Sequence, residues 1–96
     1  MAKCDITRPF PGKTPDQCYK ANQRAVERAG YKIAKKRDVA WLLLCDGRVQ
    51  GTRVSLSLSV PFGGPTSVFL SLSGDLDETA LAAEAERIFG LVAQEL

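Results

Sequence analysis

The sequence predicts a two-layer α+β domain in the order β-α-β-β-β-β-α. An antiparallel meander of about four strands, with a short N-terminal edge strand, carries both helices on one face. Three observations predict this. Residues 15–29 and 75–96 each keep an apolar stripe at the three-and-four spacing of a helix. Residues 52–60 and 66–73 alternate apolar and serine-rich positions with period two. A chain of 96 residues, 45% hydrophobic and 25% charged, buries roughly 60–65% of its unfolded surface, enough for one core layer and one domain over residues 1–96.

The first element is a short strand near residues 3–8, closed by Pro9 and Pro11, since proline is tolerated at strand ends and sheet edges. A clear helix start follows. Thr14 is a good N-cap, Pro15 suits the first helical position, and Gln17 completes a capping box. This helix should run from Pro15 to Ala29 with Gly30 as its left-handed cap. Its inward stripe is Cys18, Tyr19, Asn22, Ala25, Val26 and Ala29; Lys20, Arg24 and Arg28 form the opposite flank.

Four strands are expected next, over residues 31–37, 39–49, 52–60 and 66–73. Asp46-Gly47 is the stronger local hairpin signal, but a turn at Gln50-Gly51 gives better-matched strands and is preferred. Pro61-Phe62-Gly63-Gly64-Pro65 connects the last two strands. The final helix is expected to start at an Asp75–Glu78 capping pattern. Leu81, Ala85, Ile88, Phe89, Val92 and Leu96 then form one face.

The layout is also similar, as pattern, to known domains. Ile6-Thr7-Arg8-Pro9-Phe10-Pro11 leading to Asp16-Gln17-Cys18-Tyr19, a helix, a Gly-Tyr, a meander and a long last helix resembles a shortened START/Bet v 1-like domain. It is similar as well to small uncharacterised bacterial domains with an α–meander–α layout. The START-like resemblance implies a ligand crevice between helix and sheet. Neither group offers a residue-by-residue motif match, so no site residue is carried over.

Several chemistries are excluded outright. With no His in the chain there is no Ser-His-Asp or Cys-His catalysis and no imidazole metal site. Cys4, Cys18 and Cys45 form no metal-ligand spacing; Cys18 and Cys45 read as small buried apolar groups in reduced form, and a Cys4–Cys18 bridge is the alternative for an exported protein. Asp46 beside Cys45 raises rather than lowers a thiol pKa, which argues against a nucleophile. No cofactor, metal or catalytic residue is expected. The longest apolar run, Val39 to Cys45, is far short of the roughly 18 residues of a membrane span. The expected location is the cytoplasm, with the mature part of an exported protein as the alternative.

What remains are surfaces. Ser55, Ser57 and Ser71 share the sheet face away from the helices. The unbroken run at Trp41-Leu42-Leu43-Leu44 must put either Trp41 and Leu43 or Leu42 and Leu44 there too, with Phe69 beside them. Trp41, Leu43 and Phe69 are taken with those serines as the candidate interface of a homodimer. The competing reading covers the patch with Ile6 and Phe10 of the N-terminal segment. A second candidate is a small-ligand crevice at Tyr19, Asn22 and Tyr31, because a polar Asn22 inside an apolar stripe needs hydrogen-bond partners. A third, less favoured, is a nucleic-acid patch at Lys20, Arg24, Arg28, Lys32 and Lys36. Residues 1–53 carry 12 Lys/Arg against five acids and residues 54–96 one against six, which the fold can also neutralise internally.

Overall fold

The computed structural model describes residues 1–96. Its elements are β1 (Ala2–Pro9), α1 (Pro15–Arg28), β2 (Lys32–Arg37), a 3-10 turn (Asp38–Ala40), β3 (Leu42–Val49), β4 (Thr52–Ser59), β5 (Ser67–Gly74) and α2 (Glu78–Glu95). All neighbours in the five-stranded sheet are antiparallel, in the order β1-β5-β4-β3-β2. The meander therefore runs β2 to β5 by hairpins, and the N-terminal strand returns to pair with the last one.

Local chemistry accounts for the element ends. Thr14 accepts from the Gln17 amide, and Gln17 accepts from the Thr14 amide at 2.8 Å, so two orphan helix donors are satisfied reciprocally. At the other end Gly30 (φ +91°) donates to Glu27 and Tyr31 to Val26, the paired bonds of a Schellman cap. Gln50 and Gly51 both take positive φ, as a two-residue hairpin requires, and join Val49 to Thr52 in register. Asp46-Gly47 is no turn. A Cβ on Gly47 would lie 2.5 Å from the Tyr31 ring, so this glycine makes room for a side chain. The last helix starts later than expected: Asp77, not Asp75, is its cap, accepting from the Ala80 amide at 2.7 Å.

The strand expected from Val39 is also shorter. Asp38–Ala40 form the 3-10 turn, and Trp41 ends it in the left-handed region at φ 48°. Such a conformation costs roughly 1–2 kcal/mol for a residue with a Cβ. The strand proper begins at Leu42.

One core lies between the helices and the inner sheet face. Leu43, Leu58 and Leu70 lie side by side across β3, β4 and β5, as do Cys45, Leu56 and Leu72, and all six are buried. Against them pack Val26, Ala25 and Cys18 of α1 and Leu81, Ile88, Phe89 and Val92 of α2. The N-terminal strand turns Cys4 and Ile6 toward this same side, and Phe10 stacks at 6.5 Å from Phe89. All three cysteines are free, with Cys18 and Cys45 buried. Burial, then the neighbouring Asp46, pushes the Cys45 thiol up to about 11. No helix is long and apolar enough to cross a membrane.

Candidate functional site

The outer sheet face is built by strand register. Its central row runs Asp5, Ser71, Ser57, Leu44, Lys35 from β1 across to β2. On one side lies the row Lys3, Ser73, Ser55, Asp46, Lys32, and on the other Thr7, Phe69, Ser59, Leu42, Arg37. No helix packs on these rows. Lys3, Asp5, Lys32, Lys35 and Arg37 charge the two edge strands, and Asp46, Arg48 and Arg53 charge one end of β3 and β4; the outer positions between them hold serines with Leu42, Leu44 and Phe69. A shallow hollow of about 260 Å³ opens there, lined by Ser55, Ser57, Ser71, Ser73, Leu44 and Asp46 among others. Ser71 donates to Asp5 at 2.7 Å.

Of the sequence-derived interface candidates, Phe69, Ser55, Ser57 and Ser71 lie on this face. Leu43 does not. It is 0% exposed in the core, because a two-residue turn at Gln50-Gly51 sets it opposite Leu58. Trp41 does not either: it sits at the end of the sheet, against the rim of the core on one side and 5.2 Å from Phe62 on the other. Leu42 and Leu44 hold the outer positions, Leu44 at 38% exposure. Nor does the N-terminal segment cover the patch, since β1 lies in the plane of the sheet with Ile6 and Phe10 turned to the core side.

The crevice candidates are held apart. Tyr19 lies near the start of α1 and donates to Asp38 at 2.6 Å; burial first, then this bond, pushes its hydroxyl up to about 12. Tyr31 follows the far end of the same helix and donates to Glu84 at 2.6 Å. Asn22, between them, is fully buried with neither side-chain polar atom partnered. No cavity is lined by Asn22 or Tyr31; Tyr19 lines a separate polar hollow with Asp16, Lys20, Gln23, Lys36 and Asp38.

Of the basic candidates, Lys20, Arg24 and Arg28 follow one another along α1, Lys20 shares one surface hollow with Arg24 and another with Lys36, and Lys32 alone stands apart. Lys20 pairs with Asp16 at 3.1 Å, and Arg28 with Glu95 at 2.7 Å. Lys36 donates to Gln23 across to α1, whereas Lys32 shares the outer-face register of Asp46. A register shift between Ile33 and Lys35 separates those two lysines onto opposite faces. Arg8 with Glu86, at 2.6 Å, adds a second ion pair between the basic and acidic halves of the chain.

No protein-family model matches this chain, and no curated protein matches its sequence.

One cluster escaped the sequence reading. Arg87 grips the Glu84 carboxylate with two bonds of 2.7 Å and reaches the Ala29 carbonyl, while Tyr31 donates to the same carboxylate. Burial alone would push the Glu84 carboxyl up; the Arg87 and Tyr31 bonds outweigh it and hold it below its ordinary value. This network joins the end of α1 to α2, and its signal was only a charged residue, Glu84, next to the apolar face of a helix.

Proposed function

We propose that this protein is a small non-catalytic interaction domain that self-associates through its outer sheet face. The observation that carries the reading is the uncovered middle of that face, where Leu42, Leu44 and Phe69 lie among serines, with charge on the edge strands and at the Asp46–Arg53 end of β3 and β4. Edge pairing is opposed on the β2 side, where Lys32, Lys35, Lys36, Arg37 and a bulge blunt the strand.

A twofold axis parallel to the strands, lying between two copies, sets the β1 edge of one over the β2 edge of the other. Phe69 then meets Leu42 of the second copy, twice by symmetry, and Asp5 meets Lys35. Those two rows are complementary in apolar contact and in charge, whereas the third sets Lys3 over Lys32 of the second copy, a like-charge contact that weakens the pairing. Five strands of up to eight residues span about 24 by 26 Å, so two faces would bury about 1,200 Å². That is the lower end of specific interfaces, and a concentration-dependent dimer follows rather than a permanent one.

Sedimentation velocity over a micromolar to millimolar series tests this. The wild type should shift from monomer to dimer, and Leu44→Asp should stay monomeric with unchanged circular dichroism. A wild type monomeric throughout, or a dimer indifferent to Leu44→Asp, overturns the proposal.

A further inference from the structure

A second surface lies at the end of the sheet where β2 passes to β3 and β4 to β5, just beyond the outer-face row of Leu42 and Phe69. Val39 on the 3-10 turn is 89% exposed, and Phe62 in the neighbouring loop is 71% exposed. The two segments are tied together. The Val60 amide donates to the Trp41 carbonyl, and the Trp41 and Phe62 rings lie 5.2 Å apart. Residues 60–67 contain no charged side chain at all. Cations flank the two apolar side chains: Lys36 and Arg37 lead into the turn, both exposed, and Lys20 lies nearby on α1. The acids on the same side are Asp16, paired with Lys20, and Asp38, which accepts the Tyr19 hydroxyl.

From this arrangement we infer that the Val39–Phe62 tip docks on an anionic lipid surface. The tip presents an exposed aliphatic and an exposed aromatic side chain, and neither lines a cavity. A deformable interface can seat such a point, whereas base stacking uses only the aromatic ring and leaves Val39 without a role. The Trp41 ring, half-buried beside Phe62, has a polar N–H and an apolar body and suits headgroup depth. Flanking cations supply the charge complementarity that favours anionic over neutral lipid.

Trp41 is the one tryptophan of the chain and reports on the site directly. Its emission and co-sedimentation are to be followed with vesicles of phosphatidylcholine alone and of a phosphatidylcholine–phosphatidylserine mixture. The expected result is a blue shift and co-sedimentation with the mixture, weakened by salt. The double variant Val39→Ser, Phe62→Ser should lose about tenfold or more in partitioning, since both side chains leave water only on docking. Both positions are exposed, so the variant should keep the wild-type circular dichroism, and its dimer equilibrium should be unchanged, which separates this test from that of the outer face. Absence of binding to either vesicle, or binding that survives the double substitution, overturns the inference. Binding of a single-stranded oligonucleotide that is lost in Phe62→Ser, with vesicles left unbound, would assign the tip to nucleic acid instead.

Discussion

The two faces of the sheet are made by the same strands and the same alternation, yet only one is finished within the chain. On the inner face Leu43, Leu56, Leu58, Leu70 and Leu72 are each 2% exposed or less beneath two helices. On the outer face Leu42, Leu44 and Phe69 occupy the positions next in register and none is buried. Strand alternation alone sends one set in and the other out. The contrast teaches that the inner leucines hold the fold, while the outer apolar residues contribute little to it and are available for contact.

The sharpest way to break the contrast is on the inner side. Leu58→Ala should cost about 2–5 kcal/mol by thermal or urea unfolding, a large share of the roughly 5–15 kcal/mol of a whole domain. Ser57→Ala, one residue away on the outer face, should stay within about 0.5 kcal/mol of wild type. Comparable losses at both positions would dissolve the distinction. Gly47→Ala comes next. Its Cβ would meet the Tyr31 ring at 2.5 Å, and a cost of about 1–3 kcal/mol is expected.

Asn22→Leu should move in the opposite direction. Both polar atoms of this buried amide lack partners, so replacing it with an apolar group should stabilise the protein by about 1 kcal/mol. A loss of stability instead would mean that the amide is satisfied in solution.

The smallest effect is set by pH. The Glu84 carboxyl is held below its ordinary value in the folded state, so on acidification the unfolded chain takes up its proton first. Stability present above about pH 4.3 is therefore lost as pH falls through the folded-state value. Exposed Glu86, held low beside Arg8, titrates in the same sense. Urea midpoints between about pH 5 and 3 should fall less steeply in Glu84→Gln than in wild type; equal slopes would remove Glu84 from the account.

Much of this architecture was legible in the residues. The capping box at Thr14, the serine alternation and the apolar face of α2 each act locally, so local reading found them. The phase of β3 was legible too, through the turn. A two-residue loop at Gln50-Gly51 pairs position 43 with 58, which assigns Leu43 to the core and Leu44 to the outside. Reading Trp41-Leu42-Leu43-Leu44 without that register leaves the phase open and puts the wrong pair on the surface. What could not be read was long-range. Nothing near Trp41 announces a left-handed residue, and the Tyr31–Glu84 bond joins residues 53 positions apart. The resting place of β1 beside β5, which leaves the outer face bare, is likewise decided by the whole sheet.

The most direct test of that bare face is a dilution series of amide NMR spectra. Concentration-dependent shifts should cluster at Leu42, Leu44, Ser57, Ser59, Phe69 and Ser71 and leave the amides of both helices still. Shifts centred on the helices, or none up to the solubility limit, would contradict self-association through the outer sheet face.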